Sequence, residues 1–265
     1  MSTLRERIRN ARRPRLAPLG FGHHDRDREA NRNLVVLLEV GDAAAAAAAV
    51  SAGVDALLYS PAADPAAIPA DAVAAIIEAA AGLPVGVRIP AATAAAAAAL
   101  LAAGADFLLF DDAQTEAAAL LGPDLGHVAL LAGDLVSANV AEDQLRLLQP
   151  LDLDAILIPA REGAMTVRDQ LVTRRIAELT RKPLIVAVST DATATELEVW
   201  RDAGAPAVLV LAADGADAAG LARLIAAVGE VPAPRMRRED RPDAIVPAAL
   251  AAGIDDDDDG DDEPL

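Results

Sequence analysis

The chain has 265 residues, 66 of them alanine, and 41 acidic against 23 basic side chains give it a formal net charge of −18. With no cysteine, disulfide scaffolds, thiol nucleophiles and thiolate metal sites are excluded, and five aromatic residues with an acidic balance argue against nucleic-acid binding. A hydrophobic content of 54% is too high for a wholly disordered chain, and the length suits one large domain or two small ones.

Residues 1–33 carry nine arginines against four acids and form a basic arm. They hold no apolar core of the kind a secretory signal needs, so a cytoplasmic protein is expected. Within the arm Leu4, Ile8 and Ala11 recur at helical spacing. They predict a short amphipathic helix that docks on its own domain, on a partner or on an anionic surface. The longest apolar run, Ala91 to Ala105, is broken by Gly104 and followed by Asp106. It is expected to be a helix and then a strand, not a membrane span.

A repeated phrase organises the middle of the chain. Ala52-Gly53-Val54-Asp55-Ala56-Leu57-Leu58-Tyr59 returns as Ala103-Gly104-Ala105-Asp106-Phe107-Leu108-Leu109-Phe110. A third copy at 151–158 lacks the glycine, and a fourth at 203–210 lacks the aspartate. The glycine suits the left-handed turn just past a helix, and the apolar run after it suits a strand buried on both faces. A second class of strand lies between the copies. Strands are expected near 34–40, 56–60, 85–89, 107–110, 127–132, 155–159, 184–189 and 207–211. Alanine-rich helices separate them, with Asp42, Asp71, Thr93 and Thr115 as candidate N-caps.

Eight strand–helix units with a two-unit period predict an α/β fold, a closed (β/α)8 TIM barrel over residues 34–230. An open doubly wound sheet is the alternative, disfavoured because Val40-Gly41-Asp42-Ala43 is not a dinucleotide-binding turn. The architecture resembles phosphate- and flavin-binding barrels, a resemblance that fails at the phosphate motif. Ser189-Thr190-Asp191 after the seventh strand has no glycine, and Asp214 and Asp217 after the eighth are acidic. Phosphate or FMN capture there is therefore disfavoured.

Active sites in this fold lie at the C-terminal ends of the strands. Those ends offer Glu39; Tyr59 and Ser60; Arg88; Asp111 and Asp112; Asp134; Arg161 and Glu162; Ser189, Thr190 and Asp191; and Asp214. Lys182, the chain's one lysine, precedes the seventh strand at the opposite end, which argues against a Schiff-base aldolase. His23 and His24 lie in the arm and His127 at the start of the fifth strand, which argues against a histidine-rich metal site. Carboxylate and arginine chemistry remains. Glu39, Arg88 and Asp111 are the catalytic candidates. Glu39, Asp111 and Asp134 are the candidate oxygen ligands of Mg²⁺, with Arg88 holding a substrate carboxylate or phosphate. This would suit a metal-assisted lyase or aldolase-like enzyme on a small acidic metabolite. The alternative is that these acids are rim charges, solvated or paired with Arg88 and Arg161, on a non-catalytic barrel.

That alternative would act as a binding or scaffold protein through its terminal segments, by capturing a protein partner or self-associating. Besides the arm, these are the Pro/Arg-rich extension at 231–254 and the acidic tail at 255–265, whose run of like charge predicts disorder.

Overall fold

In the computed structural model of the chain, the described residues are 2–12, 32–61, 70–122, 124–131, 141–159, 163, 165–212 and 217–233. The acidic tail, the Pro/Arg-rich extension beyond residue 233, and His23 and His24 lie outside them. Eight parallel strands close into a barrel in chain order: β1 Val35–Val40, β2 Ala56–Tyr59, β3 Val85–Arg88, β4 Phe107–Asp111, β5 Gly126–Leu130, β6 Ala155–Ile158, β7 Leu184–Ala187 and β8 Ala207–Val210. Closure is made by β1 and β8, where Val35 to Leu38 pair with Ala207 to Val210. The expected TIM barrel is the observed fold.

A first helix, α1 (Thr3–Arg12), precedes the barrel. The others are α2 Ala43–Ala52, α3 Ala70–Ala79, α4 Ala94–Ala102, α5 Glu142–Arg146, α6 Val167–Thr180, α7 Ala194–Asp202 and α8 Ala218–Glu230. The expected caps hold at two of the four positions: Asp42 accepts from the Ala45 N–H and Thr93 from the Ala96 N–H. Asp71 lies inside the first turn of α3. Thr115 caps no α-helix; its hydroxyl accepts from the Ala92 N–H and donates to the Pro90 carbonyl, and the β4–β5 connection carries a 3-10 turn at Ala117–Leu120. Gly53 and Gly104 end α2 and the turn after α4 at φ 85° and 87°, the left-handed conformation that costs glycine no Cβ strain.

Alternation along the strands sorts their side chains into two cores. Val36, Leu38, Leu57, Tyr59, Leu108, Phe110, Ile156, Val186 and Val208 face the helices. Val35, Leu37, Leu58, Phe107, Leu109, Val128, Leu157, Ile185 and Leu209 fill the barrel itself, with Leu4, Ile8 and Ala11 of α1 among them. The interior is close-packed, and its residual void of about 10 Å³ is no larger than one water needs. The small helix residue Ala46, for instance, is fully buried against this wall. That is the structural use of the alanine excess.

Phe107 is the largest side chain in the barrel interior, and its room comes from β3. Gly86 is its register partner. A Cβ on Gly86 would overlap the edge of the Phe107 ring. The pair therefore trades a missing side chain for an aromatic ring.

Candidate functional site

Glu39, Arg88 and Asp111 continue the inward-facing rows of β1, β3 and β4 past the last apolar layer, two residues beyond Leu37, Gly86 and Leu109. They stand at the C-terminal mouth. The Arg88 guanidinium lies 3.5 Å from Glu39 Oε1, and the glutamate side chain is 9% exposed against 38% for the arginine. The other Glu39 oxygen accepts from the Ala212 N–H at 3.0 Å, which ties β1 to the segment after β8. Glu39 is thus a fixed, mostly desolvated carboxylate with a more exposed cation beside it. Leu130 and Leu211, both partly buried, extend the apolar lining to the same end.

The remaining expected site residues divide. Asp111 Oδ1 accepts from the Ala113 N–H at 2.9 Å, so one oxygen serves its own turn. Asp134 lies outside the described residues, as do Arg161, Glu162 and Asp214. Tyr59 belongs to the core beneath the helices and not to the mouth, because β2 presents Leu58 inward. Asp191 pairs with Arg223 at 3.0 Å on an exposed surface. Among the described residues no three His, Cys, Asp or Glu side chains gather as a metal site. Asp217 caps α8, accepting from the Gly220 N–H at 2.5 Å, so a carboxylate occupies the first turn of that helix.

A second constellation lies at the opposite end, around α1. The helix is anchored by the repeat's aspartates. Asp106 accepts from the Thr3 and Leu4 N–H groups at 2.7 and 2.9 Å. Asp154, 4% exposed, accepts from the Ser2 hydroxyl and lies 3.4 Å from Arg5. Asp55 accepts from the Val36 N–H at 2.8 Å. Burial raises the carboxyl pKa of Asp154 against the Ser2 hydrogen bond and the Arg5 charge. Burial likewise raises that of Asp55 against the Val36 N–H and Arg32. Lys182 sits at this end as expected, its ammonium donating to the Leu151 carbonyl at 2.5 Å. Burial and then the nearby Arg5 charge hold its pKa below the usual lysine value. His127 is buried, and its Nε2 has no hydrogen-bond partner among the described residues.

Ser2 and Asp154 were not legible as a pair, since 152 residues separate them. The available signal was the aspartate recurring one residue before β2, β4 and β6.

No family model matches the sequence, and no curated protein does. The fold is similar to several solved enzymes. A tryptophan synthase chain from M. tuberculosis, in a ligand-free form of a mutant, is 17% identical at TM-score 0.57, covering 87% of this chain and 98% of its own. Thiamine phosphate pyrophosphorylase from Pyrococcus furiosus is 13% identical at TM-score 0.56, over 75% of this chain and 96% of its own. N-(5'-phosphoribosyl)anthranilate isomerase from Pyrococcus furiosus is 17% identical at TM-score 0.55, over 74% and 98%. These likenesses establish the TIM-barrel architecture. Among the described residues no helix is long and apolar enough to cross a membrane.

Proposed function

We propose that the barrel is an enzyme acting at its C-terminal mouth on a small carboxylate or phosphate metabolite, in lyase- or aldolase-like proton chemistry next to a carbonyl. The Glu39–Arg88 pair carries this reading. A carboxylate held by a backbone N–H in a largely desolvated position suits proton transfer, and the guanidinium beside it suits capture of the substrate's acid group by a fork of donors. The substrate anion would take Arg88 from Glu39 and leave the carboxylate free as the base. The similar structures are enzymes by name, and two of those names carry a phosphorylated compound, which agrees with an anionic substrate. The metal-assisted form of the reading adds Mg²⁺ held by Glu39 and Asp111 with Asp134, where a hard cation would polarise the carbonyl.

The scaffold alternative, partner capture or self-association through the termini, is weakened at the arm. Leu4, Ile8 and Ala11 are buried in the chain's own barrel and leave the helix no free apolar face.

Proton exchange tests the enzyme reading. The protein is incubated in D2O with a panel of 2-oxo acids and phosphorylated ketones, with and without Mg²⁺, and followed by NMR. Deuterium entry next to the carbonyl of one panel member is expected, and Glu39→Gln should slow it by about 100-fold or more. No exchange across the panel, or exchange untouched by Glu39→Gln, would overturn the assignment.

A further inference from the structure

A cavity of about 440 Å³ opens at the N-terminal end of the barrel, between α1 and the chain entering β7. Its size is that of a small-molecule site. Five cations border it: Arg5, Arg9 and Arg12 from α1, and Arg181 and Lys182 from the turn after α6. A neighbouring cavity of about 380 Å³ shares Arg12, Arg181 and Lys182, so the two form one groove. This positive surface belongs to a chain of net charge −18.

The carboxylates along the groove already have partners. Asp154 is taken by Ser2 and Arg5, Glu178 by Arg174 at 2.8 Å, and Asp202 by Arg201 at 2.6 Å. Among the described residues Arg12 and Arg181 have no carboxylate partner, and Lys182 donates to a backbone carbonyl, with Asp152 and Asp154 near enough to attract its charge. Arg181 also holds its place at a backbone cost. It ends α6 in the left-handed region at φ 56°, where a non-glycine residue is uncommon. Like charges lining one groove repel one another, and an anion between them would relieve that repulsion. Burial, and then the Arg5 charge on the same groove, hold Lys182 below its usual pKa. The groove is not wholly polar: Ile8, Leu153 and Pro183 give it an apolar wall.

We propose that this groove binds an organic phosphate, its phosphates set among Arg12, Arg181 and Lys182 and its apolar body against Ile8, Leu153 and Pro183. Guanidinium groups bind phosphate oxygens in pairs, and a second phosphate would engage two arginines at once. The site lies at the end of the barrel opposite Glu39 and Arg88 and does not depend on their role.

Calorimetric titration of the full chain with inorganic pyrophosphate and with ADP tests it. Saturable one-to-one binding of both is expected, with ADP at least about threefold tighter through the apolar wall. The double variant Arg12→Gln, Arg181→Asn, which keeps a residue tolerant of positive φ, should weaken both by about tenfold or more. Arg223→Ala, which removes an exposed arginine paired with Asp191, should leave both unchanged. Absent binding, binding indifferent to the double variant, or binding lost in Arg223→Ala would each overturn the site. Equal affinity for the two probes would overturn its organic half. Urea melts of the variants separate lost binding from lost folding.

Discussion

Asp106 caps the helix that begins the chain: its Oδ2 accepts from the Leu4 N–H at 2.9 Å while its Oδ1 takes the Thr3 N–H at 2.7 Å. A carboxylate from the start of β4 thus satisfies two of the first donors of α1, and its charge faces the positive end of the helix dipole. Asp106→Ala should cost about 1 kcal/mol, the usual value of a lost N-cap. Leu4→Ala, which opens a cavity under a fully buried side chain, should cost about 2–5 kcal/mol. Urea denaturation with both single variants and the double checks this. Their effects should not add, because each loosens the same helix.

The buried carboxylates give stability a pH dependence of definite sign. Asp55 and Asp154 have folded pKa values above the ordinary 3.8, so the folded state holds their protons more tightly than the unfolded state. Their contribution is most favourable below that ordinary value and is lost as pH rises through the raised folded values. Melting temperatures of the protein and of Asp154→Asn, taken from pH 4 to 7, should therefore differ in slope. The parent should lose stability relative to the variant as pH rises. Parallel curves would show that Asp154 titrates alike in both states.

Gly86→Ala should destabilise the barrel by about 1–3 kcal/mol through overpacking, because its Cβ would overlap the Phe107 ring. Phe107→Leu in the same chain should recover part of the loss. Thermal melts of the two singles and the double decide it; equal melting of Gly86→Ala and the parent would mean the ring moves aside freely.

Arg88→Met tests the mouth from the cation's side. Since the arginine is 38% exposed, its loss should change stability by less than about 1 kcal/mol. Proton exchange on an acid substrate should show the deficit chiefly in KM, the parameter that reports capture of the anion. An effect on kcat alone would assign Arg88 a different task.

His127→Leu should leave stability unchanged or raise it by up to about 1 kcal/mol, because it removes a buried nitrogen with no partner among the described residues. A large loss in urea denaturation would reveal that the imidazole is bonded.

The barrel was legible because it rests on periodicity. Gly53 and Gly104 stop their helices, apolar runs follow, and the two-unit repeat multiplies the signal until closure is the economical solution. The inward face was harder to read. Tyr59 stands at a strand end like Glu39, and only the register of β2 against β1 turns it to the helices. Such phase shifts come from pairing between strands, and no single strand's pattern carries them. Thr115 has the chemistry of a cap and the β4–β5 connection too little helix to use it. The Glu39–Arg88 contact joins positions 49 apart, and strand-end chemistry sets both at the mouth, as parts of one site or as a paired rim charge. The aspartate in the repeated phrase was seen as a mark of the repeat. That two of its three copies hold α1 follows only from the closed barrel, which brings β4 and β6 to the same rim.

The docking of α1 also has a consequence in time. During synthesis Leu4 leaves the ribosome about a hundred residues before Asp106, and Ser2 152 residues before Asp154. Through most of translation the first helix has no barrel floor to enter, and its Leu4 and Ile8 side chains must wait in water or in passing contacts. This early turn is thus among the last to be seated, and a ribosome halted before β6 would hold α1 still open to proteases.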